Sequence, residues 1–436
     1  MQVNVPPTTQ ADARAATQGL NLDVTAPKVF TWTLSVQHEI FKDTSVELRY
    51  LGTHSVSLPV QKRLNEESAF DFGFKPLPTF FKASDVPATF PLTSQRRADY
   101  VNFLNNGAFQ PLAADGFFST MTTFPPIGQG IYHSGSVDVI HRFVRGLYIR
   151  GNYTYAKNID NSTNELFSSR VNPRRPQDAL NIGDERGRSV LDLTHKLAIT
   201  WIYDLPKINS DSRFVKGFLH GWEVSGTYLA QTGQPITALS GTDSNANGSS
   251  AGDRTILNPN GVGLTGSGVN FACINPTTGA SFTSTTIGGV SPTGVATGCA
   301  VGSGARNGTS GNNFVVGYVA ADPTATFIQA NLGAKANVGR NTISTPGFNI
   351  WNMSVLKSTK IGERFNVQFR AEAYNLFNHR NFSIGLPTNN GAIDQTQNPN
   401  PLSTGYPFVT ATGLFLNNHQ FNGGSRTMQL GLKLIF

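Results

Sequence analysis

The last eleven residues, Arg426–Phe436, constrain this chain most. Met428, Leu430, Leu432, Leu434 and Phe436 fall on one side of an extended segment. Thr427, Gln429, Gly431 and Lys433 fall on the other, with Ile435 the apolar exception. Side chains alternate across a strand with a period of two, and about ten such residues let a tilted strand cross a bilayer. The segment stops on an aromatic residue, whereas chain ends ordinarily fray into water. An ordinary sheet strand ending in Phe has the same pattern, so the rest of the chain has to decide.

Eight more segments alternate in the same way. They run from Val29 to Ile40, Thr44 to Thr53, Ile131 to Arg142, Leu147 to Lys157, Leu193 to Leu205, Trp222 to about Ala238, Phe348 to Lys360, and Phe365 to Phe377. Their connections alternate in length. Short links follow the first, third and seventh segments, and a moderate one follows the fifth. Long links cover about residues 55–130, 158–192, 239–347 and 378–425. Barrels of the bacterial outer membrane have short periplasmic turns and long external loops, whereas a soluble sandwich gives no reason for the alternation. The expected fold is therefore all-β: an antiparallel transmembrane β-barrel with long extracellular loops, barrel residues 29–436, and an external or truncated start at 1–28. The link from Ser240 to Gly311 is rich in Gly, Ser, Thr and Asn and is expected to be structureless.

Composition agrees. Charged residues are 14% of the chain, while Gly (44) and Phe (30) are abundant, which suits short alternating strands rather than a helical enzyme. The net charge of +7 is scattered, so no nucleic-acid surface is expected. No apolar run reaches the roughly 18 residues of a membrane helix. The start lacks a basic segment followed by an apolar core, so it is no signal peptide, and the chain is expected to begin partway through a longer protein. Aromatics near strand ends, among them Trp32, Tyr50, Tyr155, Trp222, Trp351 and Phe365, are expected to form interfacial girdles.

The segment Thr31–Glu39 followed by Val46–His54 resembles a paired-strand signature of Oar-like TonB-dependent receptors. So do Gly151–Lys157 with Asp184–Ser189, Gly339–Asn341 before Pro346–Phe348, and Phe369–His379. The resemblance covers nearly the whole chain. It implies a barrel of about 22 strands, of which these nine segments would be the C-terminal part. It also implies import of a scarce solute, and a plug and TonB as partners in a full-length form. A terminal Phe436 resembles the signal read by the barrel-assembly machinery. Outer-membrane lipid and lipopolysaccharide are expected around the barrel. An odd number of strands leaves two unpaired edges, so closure is expected to need further strands.

Candidate ligand-binding residues on the lumen side are Glu47, Arg49, Arg150, Lys196, Arg370, Glu372 and Tyr374. The alternative is a solvated, internally paired polar wall. Arg174 and Arg175, in a loop with Arg170, Arg186, Arg188, Asp184 and Glu185, could grip an anion or pair internally. Cys273 and Cys299 form a disulfide candidate in one loop. Asp243, Asn245 and Asn247, with Gly248, match the opening of a calcium loop, but position twelve is Arg254, so a polar turn is the favoured reading and no metal is expected. The GxGxxG at Gly261–Gly266 neither follows a strand nor opens a helix. No cofactor and no covalent catalysis are expected. The competing readings are a passive porin or adhesin-like barrel, and a secreted carbohydrate-binding β protein.

Overall fold

The computed structural model describes residues 8–15, 19, 25–65, 67–89, 112–117, 121–144, 146–161, 175–207, 212–248, 252–275, 279–284, 314–362, 364–384, 409–410, 413–414, 416–421 and 425–436. Its centre is one antiparallel meander. The strands β1 (Lys28–Phe41), β2 (Thr44–Leu58), β3 (Gly128–Val144), β4 (Leu147–Asp160), β5 (His195–Asp204), β6 (Trp222–Gln231), β7 (Phe348–Ile361), β8 (Phe365–Tyr374) and β9 (Thr427–Ile435) pair in chain order. These are the nine segments marked by alternation. Among the described residues, β1 pairs only with β2 and β9 only with β8.

The short connections gather at one end of the sheet. The β1–β2 hairpin turns on Lys42-Asp43, where Asp43 takes a positive φ of 62° and donates its N–H to Glu39 Oε1 at 3.0 Å. Asp is one of the few side chains that tolerates this left-handed conformation. The β5–β6 link carries a short helix, Arg213–Leu219.

Register fixes two faces. Trp32, Gly52 and His133 lie opposite one another, as do Leu34, Tyr50, Gly135 and Tyr155. The same side carries Tyr153, Leu197 and Ala230, then Tyr228 with Trp351, then Phe369 with Leu432. The opposite side carries Gln37, Glu47, Asp138 and Asn152, and farther on Ser225, Ser354, Glu372 and Gln429. The apolar side is not a soluble core. On interior strands, Val137, Ile149, Tyr203 and Phe369 are each 36–39% exposed, and Leu432 on the edge is 76% exposed. A sheet that turns its apolar face outward in this way needs lipid against it.

The buried core lies elsewhere, and the expectation of a structureless link is corrected. Strands 281–284, 269–274, 314–320 and 79–80 form a small sheet, and 256–257, 327–328 and 266–267 form another. Ile256, Cys273, Val315, Tyr318, Ala325 and Ile328 are buried between them, with Leu77 and Phe81 packed alongside. The alternating runs Val269–Ile274 and Phe314–Ala320 supply this core from within the Gly-rich composition. Two long links therefore fold together into a cap at the long-loop end. Strand limits shift accordingly. β2 continues to Leu58 and β6 stops at Gln231, after which Pro235-Ile236 pairs with Ile343-Ser344. β8 stops at Tyr374, because Asn375 turns the chain with φ 50° and Phe377 lies beyond the strand.

Before β1, a helical turn over Gln10–Ala15 is capped by Thr9, whose Oγ1 accepts the Asp12 N–H at 3.1 Å. Much of the rest of residues 1–24 lies outside the described residues.

Candidate functional site

The polar face carries two clusters of paired side chains. Near the β1 edge, Arg49 donates to Glu47 at 2.6 and 3.0 Å. Next to it Arg150 makes a forked contact with Asp138 at 3.0–3.2 Å, and Asn152 donates to the same carboxylate at 3.2 Å. Glu47 and Asp138 are register partners, so their negative charges adjoin and each has an arginine across it. Lys196 stands exposed on this face, between Thr154 and Gln231.

Toward the other edge, Glu372 is the centre. Tyr374 donates its hydroxyl to Glu372 at 3.2 Å, Gln429 its amide at 2.7 Å, and Arg370 lies 3.6 Å away. Beside them Asn352 donates to Thr227 at 3.1 Å and accepts the Asn375 N–H at 3.0 Å. A dish of about 330 Å³ opens here, lined by Thr200, Thr227, Asn352, Ser354, Glu372 and Tyr374. It is a concave patch of donors and acceptors with one carboxylate. All seven wall candidates thus share one face, but they form two groups at opposite ends of the sheet. Asp138, Asn352, Thr227 and Gln429 complete them. Alternation alone placed these four on the right side, and nothing in their local sequence singled them out.

Above the wall, the cap is tied to the strand ends by a buried ionic network. Arg340 (1% side-chain exposure) pairs with Asp160 at the tip of β4 and donates from Nε to the Glu185 carbonyl at 2.7 Å. Glu185 pairs with Arg254, its carboxylate also lies 3.8 Å from Arg340, and it accepts the Gln177 N–H at 2.9 Å. Asn341, in the left-handed region with φ 56°, donates to the Arg188 carbonyl at 2.7 Å and accepts from Thr237 at 3.0 Å. A Cβ on Gly187 would sit 2.9 Å from the Arg340 carbonyl, so glycine there lets the two loops touch. The segments Asp184–Ser189 and Gly339–Asn341 are therefore the two halves of one latch.

A family model, outer membrane beta barrel domain, matches residues 2–429. The chain belongs to that family. This outer-membrane barrel domain is also similar to solved structures. One is the outer membrane transporter YddB from Escherichia coli, with 10% identity and a TM-score of 0.38 over 95% of this chain and 33% of that one. Another is BauA, the ferric preacinetobactin receptor from Acinetobacter baumannii, with 10% identity and a TM-score of 0.36 over 93% of this chain and 29% of that one. A third is the pyoverdine outer membrane receptor FpvA from Pseudomonas aeruginosa, with 8% identity and a TM-score of 0.34 over 94% and 30%. The barrel domain spans about a third of the length of these chains. No curated protein matches it.

The loop candidates of the barrel domain divide. Arg175 is buried, next to Gln61, Lys62 and Asp253, while Arg174 lies outside the described residues. Cys273 is fully buried and disulfide-bonded; Cys299 lies outside the described residues. At the calcium-loop candidate, both Asp243 oxygens accept backbone N–H groups, from Asn247 at 2.9 Å and Gly248 at 2.8 Å. Asn245 Oδ1 accepts from Asn247 N at 3.2 Å, and its amide donates to the Gln177 carbonyl at 2.7 Å. That is the geometry of an Asx turn. Burial pushes the neighbouring Asp253 carboxyl well above the usual carboxylate range, and the Asp243 charge adds to the effect.

Proposed function

We propose that this chain is the C-terminal barrel portion of an Oar-like, TonB-dependent outer-membrane receptor that binds and imports a scarce solute. The single observation that carries the reading is the pairing of a polar sheet face, dished around Glu372, with a folded, latched cap at its long-loop end. A passive pore needs a solvated wall and no folded cover over it. A receptor needs a structured external surface that meets solute before the lumen does. The long-loop end faces outward on this reading, and residues 1–28 belong to that external surface. Further strands close the barrel, because free strand edges in lipid would cost several kcal/mol per unsatisfied group. A plug and TonB act on the completed form, and the barrel-assembly machinery reads Phe436, which is 93% exposed. The work is recognition and translocation, with no covalent step. The dish around Glu372 is the first place on the wall to look for solute contacts, with Glu47, Arg49, Arg150 and Lys196 as a second group.

The test is growth on limiting nutrients, comparing cells that carry the gene with its upstream region intact, cells that lack it, and cells that lack TonB. Loss of growth on the same nutrient in both mutants supports the receptor. Uptake that persists without TonB, together with large steady conductance in planar bilayers, supports the porin reading instead.

A further inference from the structure

A cleft of about 750 Å³ lies at the long-loop end of β4, β5 and β6. Its floor is on the apolar, lipid-facing side of the sheet, since Tyr153, Leu197 and Ala230 are register partners there and His195 pairs with Tyr155. Lys157 shares that side, two residues beyond Tyr155 and three before the strand ends at Asp160. The overhang is the 344–347 segment of the cap, which holds Ser344 and Thr345 over the floor. A lysine on a lipid-facing surface is costly at the bilayer centre and tolerated only near the headgroups, which sets the depth of the cleft.

Among the described residues, the polar groups of this cleft are cationic or neutral. Lys157 is exposed and makes no ion pair among the described residues. Arg188 donates from Nε to Asp192 at 2.9 Å and from Nη1 to Ser344 at 2.9 Å, which holds its guanidinium at the cleft wall. Among the described residues no carboxylate lines the cleft, and Asp192 itself is fully buried. His195 is held by Tyr153, whose hydroxyl lies 2.7 Å from Nδ1. Toward the bilayer the floor continues as Leu197, Ile199 and Ile149, all on the apolar side. The site therefore offers positive charge and hydroxyls at headgroup depth and a greasy track leading away from them.

We propose that this cleft seats the phosphorylated headgroup of an outer-leaflet glycolipid, with its acyl chains on the Leu197–Ile149 track. Lys157 and Arg188 face the phosphate and Ser344 the sugar. The proposal rests on outer-membrane residence and the rim geometry, and it is independent of which solute is imported.

The experiment uses the full-length receptor, purified in detergent and titrated with bis-phosphorylated lipid A, dephosphorylated lipid A and inorganic phosphate, with retention read by native mass spectrometry. Lys157→Gln is the test variant. Lys357→Gln, on the same face at the opposite end of the sheet, is the control. Phosphorylated lipid A should bind most tightly, with about fivefold weaker binding in Lys157→Gln and no change in Lys357→Gln. Equal binding of phosphorylated and dephosphorylated lipid, or of Lys157→Gln and wild type, would overturn it. Tight capture of inorganic phosphate alone would overturn the lipid as its source. Solute uptake by the same variants separates this result from the transport reading.

Discussion

Trp201 covers Gly226. A Cβ on Gly226 would lie 2.3 Å from the indole ring and 2.6 Å from the Asn352 carbonyl. The two are register partners on β5 and β6, and Trp201 also meets Trp351 edge-on at 5.9 Å. Trp32 covers Gly52 in the same manner between β1 and β2. Glycine in a strand is unfavourable by itself, and a ring laid across the gap restores the lost packing. Gly226→Ala should therefore destabilise the barrel by about 1–3 kcal/mol through overpacking, whereas Gly431→Ala, with open space around it, should change little. Urea midpoints after refolding into lipid vesicles measure both. Equal midpoints for the two variants would show that the Trp201 ring is not what requires glycine.

The Glu185 carboxylate compensates two buried guanidinium groups, Arg254 and Arg340. Glu185→Gln leaves Arg254 without its counter-ion, while Arg340 keeps Asp160, a loss of about 3–5 kcal/mol for a buried pair. The cap should open while the strands persist. Hydrogen exchange should rise at residues 232–247 and 327–345, and gel migration should remain heat-modifiable. Unchanged exchange there would mean the latch is held by the apolar core alone.

Asp71 and Asp178 come together across two long loops. Burial and then the Asp178 charge and hydrogen bond raise the Asp71 carboxyl from 3.8 to about 6. A raised pKa means that the folded contact binds a proton more tightly than the open loop does. The stabilisation is complete below pH 3.8 and is lost as pH rises through about 6. Protease cleavage near residues 178–181 should thus be faster at pH 7 than at pH 5, and Asp71→Asn should remove the difference. Cleavage that quickens toward acid would contradict the assignment.

Cys273 sits in the core of the cap. If Cys299 is its partner, non-reducing peptide mapping should recover the two linked. Cys273→Ser should weaken the cap by about 3–4 kcal/mol, on the entropy of closing a loop of this size, read as a lower melting step with the strand signal intact. Separate free thiols on mapping would exclude the pairing.

All nine strands were legible in the sequence because a lipid-facing strand leaves a mark at every second residue. Met428 to Phe436 shows it without help from any neighbour, and the same parity put Glu47, Arg150 and Glu372 on one face. Loop lengths gave the two ends of the sheet. The cap was not legible. Its strands are short, the runs around Cys273 and Tyr318 are set among Gly and Ser, and the Tyr318 run also pairs with Thr79-Phe80, from a different link far away in the chain. The pairing of Glu185 with Arg254 and Arg340, the Glu372–Gln429 contact and the Lys157–Arg188 cleft likewise exist only through packing. Periodicity is a local property and sequence alone determined it; which charge meets which depends on register and loop closure, and tertiary structure decided that.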